Sequence, residues 1–139
     1  MKAKEYMKRV QDIDTKIANK LAEKARWLEI ATSITPKLTG MPTQTGGNGQ
    51  KMEDAADRRM DIDIQIKRLE RQKAEIISTI ETLETLHYDV LHKLYVQGKT
   101  FQEIADAYKR SYSWATTVHG RALQSLQRVL DERESNAKV

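Results

Sequence analysis

Residues 100–126 read TFQEIADAYKRSYSWATTVHGRALQSL, and they contain two short helical patterns separated by one tight turn. Thr100 is a residue type that caps helices, and Glu103, three positions later, completes a capping box. The apolar residues that follow share one helical face: Phe101, Ile104, Ala105 and Tyr108. The first pattern is therefore predicted to be a short capped helix.

The second pattern begins after a break at Lys109-Arg110, where Ser111 or Ser113 can cap a helix. Its apolar face is formed by Ala115, Val118, Ala122, Leu123 and Leu126. The small side chain of Ala105 suits a point where two helices cross closely. The two patterns together predict a helix-turn-helix, a motif that presents its second helix to a DNA major groove.

This run, preceded by VLHKLYVQGK, resembles the region 4 domain of bacterial sigma factors. It is especially similar to the sigma-like ArpU and RinA type late-gene activators encoded by phages of Gram-positive bacteria. The resemblance covers about a third of the chain, residues 83–131, and rests on Glu103-Ile104-Ala105, Ser111-Tyr112-Ser113, Arg121-Ala122-Leu123 and Leu126. It implies a DNA-binding transcriptional regulator of phage or prophage genes. Region 4 domains contact RNA polymerase as well as promoter DNA, so the resemblance leaves a polymerase contact open. The chain departs from the pattern at Lys109, where glycine is common.

The resemblance assigns functions to side chains around the turn. Those predicted to read DNA bases are Tyr112, Ser113, Thr116 and Thr117. Hydroxyl groups can bond to base edges, and threonine methyl groups can contact thymine methyl groups. Those predicted to contact phosphates, which supply affinity rather than sequence information, are Lys99, Thr100, Lys109, Arg110, Ser111 and Arg121. Trp114 has three open roles: stacking on the sugar-phosphate backbone, contacting polymerase, or covering the helices before it.

Composition favours long amphipathic helices over a large globular core. About a third of the residues are charged, only one is Phe, and none is Cys. The absence of cysteine excludes disulfides and thiolate metal sites. No apolar run has the length of a membrane span, so we expect a cytoplasmic protein. The formal charges of residues 1–50, 51–85 and 86–130 are +4, −2 and +3, which is compatible with DNA binding by the last segment.

The first half of the chain predicts two long helices. Residues 2–34 carry a thin apolar stripe formed by Tyr6, Val10, Ile13, Ile17, Leu21, Leu28 and Ala31, interrupted by Lys20 and Lys24. Residues 35–50 hold both prolines and four of the six glycines, which predicts a flexible loop without fixed structure. Two helices joined by such a loop are expected to pack as an antiparallel hairpin.

The second helix shows the more regular pattern, with steps of three and four from Met52 to Leu94. The heptad positions are Met52, Ala55, Arg59, Ile62, Ile66, Leu69, Lys73, Ile76, Ile80, Leu83, His87, Val90 and Leu94. The long helices are expected over residues 3–33 and 52–83. Nothing between Ile80 and Val96 predicts a break, so direct continuation of the second helix into the next domain stays open, and Gly98 is placed as a helix C-cap. The apolar seams are expected to form a homodimer of two hairpins.

The predicted fold is therefore all-α: a long helical hairpin followed by a sigma region 4-like domain. The predicted division is residues 1–82 for the hairpin, 83–133 for the helix-turn-helix domain and 134–139 for a disordered tail. The hairpin is assigned to oligomerisation or to a protein contact.

Catalytic, metal and cofactor sites are not expected. The three histidines, His87, His92 and His119, do not have zinc-site spacing, and His87 is expected to be a hydrogen-bonded interior side chain. The glycine run 46–49 lacks the Gly-Lys-Ser/Thr ending of a phosphate-binding loop. No Ser/His/Asp arrangement is evident, so the chain is not expected to be an enzyme.

Two other functions remain open on the sequence. A small terminase-like DNA-packaging component also combines a helix-turn-helix with long helices, although there the DNA-binding module usually comes first. A sigma-like adaptor would bind polymerase or another regulator and never touch DNA. The mass in solution separates a dimer from the ring assembly expected of a packaging component.

Overall fold

The computed structural model of the chain describes residues 1–34 and 45–138. Within these residues all regular structure is helical, which confirms the predicted all-α class. The elements are α1 (Ala3–Ile34), α2 (Thr45–Glu81), α3 (Thr85–Leu91), a π-helical turn (His92–Val96), α4 (Phe101–Ala107) and α5 (Tyr112–Ala137).

Two helices extend further than the sequence predicted. Residues 45–50 belong to α2, although they were assigned to the flexible loop; the rest of that loop lies outside the described residues. At the other end, residues 134–137 belong to α5 instead of a disordered tail. Extending an existing helix by one residue fixes the backbone of that residue alone and gains one hydrogen bond in return. An unfavourable local composition is therefore often too weak to stop the helix.

The second long helix ends earlier than predicted, because the chain turns after Glu81. The final turn tightens: the backbone N–H of Leu83 donates to the carbonyl of Ile80 at 3.1 Å. The Thr82 hydroxyl donates to the carbonyl of Thr79 at 2.7 Å, and this side-chain bond competes with continuation of the helix. Glu84 is extended, with ψ of 141°, and begins α3. The prediction of an unbroken heptad as far as Leu94 is therefore wrong.

The predicted stop at Gly98 is present. The π-helical turn closes with a bond from the Gln97 N–H to the His92 carbonyl at 3.0 Å. Gly98 follows with φ of 72°, in the left-handed region that glycine enters without steric cost. A Cβ added there would meet no atom within 4 Å, so the backbone angle alone calls for glycine.

Gly98 and Gly120 form a matched pair for a stability test. Gly98→Ala is expected to lower the free energy of unfolding by about 1–2 kcal/mol, because alanine is strained at positive φ. Gly120 lies inside α5 with open space around it, so Gly120→Ala is expected to raise that free energy by about 0.5–1 kcal/mol. Urea titrations followed by circular dichroism measure both changes. Equal effects of the two substitutions would contradict the assigned backbone conformations.

The helices group into two compact units, which differ from the predicted division at residue 82. One unit contains residues 1–13 and 72–139, and the other contains residues 14–71. The start of α1 belongs with the C-terminal helices, and Met7 within it is fully buried. In addition, the Ala3 N–H donates to the Gln127 side chain at 2.8 Å. Ala3 and Met7 were both missing from the predicted apolar stripe.

A buried threonine ties three helices of the first unit together. Thr79 has a relative exposure of 1% and is the only buried polar side chain recorded in the described part of the chain. Its hydroxyl accepts from Tyr6 of α1 at 2.9 Å and from Arg133 of α5 at 2.8 Å. It donates to the Glu75 carbonyl at 2.9 Å. A buried polar group with all its bonds satisfied stabilises one specific arrangement of its helices.

In the second unit, the heptad of α2 is buried within the single chain at Ala55, Ile62 and Ile66. The predicted stripe of α1 is only partly correct, because Leu21 and Leu28 are 51% and 47% exposed. The half-buried side chains Lys24 and Trp27 contact α2 instead. Lys24 pairs with Asp63 at 2.7 Å, and Trp27 lies under the Arg58 guanidinium at 5.9 Å. The α2 seam is therefore occupied, and a homodimer would need a different surface.

Candidate nucleic-acid interface

The first short helix of the interface, α4, begins with the predicted capping box. The Glu103 N–H donates to the Thr100 hydroxyl at 3.1 Å, and the Thr100 N–H donates to the Glu103 carboxylate at 3.3 Å. The Thr100 hydroxyl also donates to that carboxylate at 3.2 Å. Thr100 is thus committed to the cap, and a phosphate contact by its hydroxyl would require breaking this bond.

The turn after α4 has a Schellman geometry, in which backbone N–H groups cap the last carbonyls of the helix. The Arg110 N–H donates to the Ala105 carbonyl at 2.9 Å, and the Lys109 N–H donates to the Asp106 carbonyl at 3.1 Å. Lys109 has φ of 54° and is the only non-glycine residue with positive φ recorded among residues 1–34 and 45–138. Lys109 therefore adopts the conformation that glycine commonly supplies at this position.

The second helix is capped by Ser111, which settles the choice between the two serines. Its hydroxyl accepts from the Trp114 N–H at 3.1 Å, and α5 begins at the next residue. Lys109 and Arg110 are therefore confined to the exposed turn between the helices. The predicted phosphate-binding residues Lys109, Arg110 and Ser111 lie together at the N-terminal end of α5.

A small core holds α3, α4 and α5 together. Its buried residues are Val90, Ile104, Ala105, Ala115 and Val118. Partly buried side chains surround it: Leu86, Leu94, Phe101, Tyr108 and Trp114. Ala105 and Ala115 are fully buried, which fits their predicted place where two helices approach closely. This core gives α5 a rigid support and leaves its opposite face in solvent.

The predicted base-reading side chains lie on the first two turns of α5. Tyr112 is 53% exposed, Ser113 and Thr117 are also exposed, and Thr116 is half-buried. The hydroxyls of Thr116 and Thr117 both donate to the Ser113 carbonyl at 2.9 Å. Their hydrogens are therefore engaged, and lone pairs and methyl groups remain for bases. Such groups accept from amino groups of bases and contact the thymine methyl.

Aromatic contacts hold Tyr112 near the start of α4. The ring of Phe101 lies edge-on to Tyr112, with centroids 5.9 Å apart, and edge-on to His119 at 5.2 Å. His119 in turn bonds through Nε2 to the Tyr95 hydroxyl at 2.8 Å. Burial, with a smaller effect of Lys4, lowers the pKa of His119. Lys99, just before α4, is half-buried and thus less available to a phosphate than predicted.

The turn before α5 and the helix as far as Leu130 carry only positive charge. Four basic and no acidic residues occur between positions 107 and 130: Lys109, Arg110, Arg121 and Arg128. Arg121 is exposed. Gly120 and Gln124, which are not among the predicted base-reading residues, are exposed and follow Ser113 and Thr117 at helical spacing. That spacing could have identified them.

A carboxylate on α3 supports the end of α4. Asp89 pairs with Lys93 at 2.5 Å and accepts a hydrogen bond from the Tyr108 hydroxyl. Burial acts to raise the pKa of Asp89, but the bonds from Lys93 and Tyr108 outweigh it and leave that pKa lowered. Burial, followed by the bond to Asp89, raises the pKa of Tyr108 to about 12. No local pattern predicts this network, because Asp89 and Tyr108 are 19 residues apart.

The lowered pKa of Asp89 predicts a loss of stability in acid. A depressed pKa contributes stability above the unfolded value of about 3.9, and this contribution is lost as pH falls through the folded value. Asp89→Asn is expected to cost about 1–2 kcal/mol at pH 7 and progressively less below pH 4. Urea unfolding across pH 7 to pH 3 measures this. Exposed Asp106 provides a control, and an equal pH response of Asp106→Asn would contradict the assignment.

Other sequence expectations concern histidines, metals and membranes. His87 bonds to the Ser125 hydroxyl through Nδ1 at 3.1 Å, as expected of a structural histidine. In residues 1–34 and 45–138, no group of three His, Asp or Glu side chains is arranged to hold a metal ion. No helix in the same residues combines the length and apolar character needed to cross a membrane.

Comparisons of the chain with family models, curated proteins and solved structures found no match.

Proposed function

We propose that the chain is a DNA-binding transcriptional regulator with a sigma region 4-like helix-turn-helix. In this proposal α4 and α5 form the motif, and the first two turns of α5 enter the major groove. Tyr112, Ser113, Thr116 and Thr117 contact base edges, while Lys109, Arg110 and Arg121 contact phosphates. The resemblance to phage-encoded late-gene activators supports a phage or prophage as the source of the regulated genes.

One observation carries the proposal. The N-terminal end of α5 is an exposed, uncharged polar face, and the residues from 107 to 130 add only positive charge to it. A DNA-reading helix needs both features, because polar side chains read base edges and cations neutralise phosphates. The buried core on the other side of α5 supports the helix without using this face.

The long helices supply the second part of the proposal, an antiparallel hairpin. In the unit of residues 14–71, Lys24 contacts Asp63 and Trp27 contacts Arg58. Higher numbers on α1 thus meet lower numbers on α2, as an antiparallel pair requires. We also propose a homodimer, through exposed apolar side chains of this unit instead of the buried seam: Leu21, Leu28, Met60 and Ile64. Large exposed apolar side chains often mark protein interfaces.

Selection of bound duplexes from a random pool tests the proposal directly. The full chain is expected to enrich a defined sequence and to bind it more weakly as salt rises. Arg121→Ala is expected to reduce binding to all duplexes and to lower the salt slope by about one. If wild-type chain retains no duplex at low salt but binds RNA polymerase, the adaptor function replaces this one. A ring-sized mass in light scattering would instead support DNA packaging.

A further inference from the structure

An aromatic pair connects the turn before α5 to a carboxylate on α3. The Tyr108 ring lies 5.2 Å from the Trp114 ring, and its hydroxyl donates to Asp89. The Arg110 guanidinium lies over the Trp114 ring, 5.3 Å from the centroid. These contacts form a continuous series, Asp89–Tyr108–Trp114–Arg110, which we call the Asp89–Arg110 chain.

We propose that the Asp89–Arg110 chain positions the Arg110 guanidinium to bind a phosphate of the DNA backbone; this inference rests on the proposed function. Trp114 is then a positioning residue that acts through Arg110. An arginine bound to phosphate loses side-chain freedom, and one already stacked on a ring loses less of it. Arg110 is therefore expected to contribute more to DNA affinity than the other exposed cations.

At the Asp89 end of the Asp89–Arg110 chain, charged groups hold the Tyr108 ring in place. Lys93 Nζ lies 2.5 Å from the Asp89 carboxylate and also 5.9 Å from the centroid of the Tyr108 ring. The Tyr108 ring is thus held at its hydroxyl by Asp89 and at its face by Lys93. Trp114 packs against the core that joins α3, α4 and α5, so its ring is also restrained.

At the other end of the Asp89–Arg110 chain, Arg110 is held by its backbone as well as by its side chain. The Arg110 N–H donates to the Ala105 carbonyl at 2.9 Å, and the guanidinium stacks on Trp114. Lys109, the neighbouring cation, makes no side-chain ring contact in the part of the chain that the structure describes. Two adjacent cations of the turn therefore differ in one respect: only Arg110 is preorganised.

A double-mutant cycle on the full chain tests the inference, using fluorescence anisotropy with a short duplex of random sequence. Arg110→Ala is expected to weaken binding about five- to tenfold and to lower the salt slope by about one. Tyr108→Phe keeps the ring, removes the hydroxyl and is expected to weaken binding about two- to threefold. In that background Arg110→Ala should cost less by about the same factor, because coupled residues are not additive.

Arg121→Ala provides the matched control, because Arg121 is a cation of the same face outside the chain of contacts. It is expected to cost the same in the wild-type and Tyr108→Phe backgrounds. Additive losses for Arg110 and Tyr108 would overturn the positioning role while leaving the proposed function intact. Failure of the wild-type chain to bind any duplex would overturn the proposed function and the phosphate role together.

Nuclear magnetic resonance supplies a readout that does not depend on DNA. The order parameter of the Arg110 Nε–H bond is expected to be high in the wild-type chain and to fall in Tyr108→Phe. Backbone resonances of α5 are expected to change little in that variant. Trp114→Leu should lower the same order parameter further. An unchanged Arg110 order parameter in a folded Tyr108→Phe variant would overturn the inference.

Discussion

Met7→Ala is expected to lower the free energy of unfolding of the unit formed by residues 1–13 and 72–139 by about 2–5 kcal/mol. Met7 has a relative exposure of 0%, so truncation leaves a cavity as well as removing buried apolar area. Fluorescence of Trp114, measured in a Trp27→Phe background during urea unfolding, follows this unit specifically. The substitution lies about a hundred residues from α5, yet it should destabilise that helix.

Lys16 offers a control on the same helix. Its side chain is exposed, it belongs to the other unit and it lies outside the proposed dimer surface, so Lys16→Ala is expected to change stability by no more than about 0.5 kcal/mol. Hydrogen exchange in α5 should accelerate in Met7→Ala and not in Lys16→Ala. If Met7→Ala left α5 protection unchanged, the start of α1 would not be part of the C-terminal unit.

The double substitution Thr116→Ala with Thr117→Ala is expected to reduce discrimination between a selected duplex and a random duplex. The expected loss is about 1–3 kcal/mol for each base contact removed. Both side chains are uncharged, so binding to the random duplex should hardly change. Anisotropy titrations with the two duplexes at one salt concentration measure the difference.

Arg121→Ala is expected to show the opposite pattern. It should weaken binding to both duplexes alike and lower the salt slope by about one, because a phosphate contact carries no sequence information. Circular dichroism checks that both variants stay helical. Equal weakening of both duplexes by the threonine variant would remove Thr116 and Thr117 from the base-reading set. Gln124, further along the same exposed face, would then be the next candidate for a base contact.

Local signals in the sequence were sufficient to predict the ends of the helices around the turn between α4 and α5. The capping box of Thr100 and Glu103, the cap at Ser111 and the stop at Gly98 all appear where their residue types predicted them. Each depends on hydrogen bonds or backbone angles within a few residues, so distant packing has little influence. The heptad of α2 was readable for the same reason, as shown by buried Ile62 and Ile66.

Helix ends were less predictable, because the local preference of a residue to leave the helix competes there with the hydrogen bonds of the neighbouring helical turns. Thr82 stops α2 through a single side-chain bond, although no glycine or proline marks the site. Conversely, the glycines at 46, 47 and 49 do not prevent α2 from beginning at Thr45. Helix propensity differs by only about 1 kcal/mol between glycine and alanine, which neighbouring turns can override.

The sequence by itself determined the all-helical class, the position of the turn between α4 and α5, and the polar face that follows it. Only the tertiary structure decided which distant segments share a core. Tyr6 bonds to Thr79, Ala3 bonds to Gln127, and Asp89 meets Tyr108 across two helices. Burial and charge pairing between distant residues depend on how whole helices pack, and helical periodicity identifies an apolar face without specifying its partner.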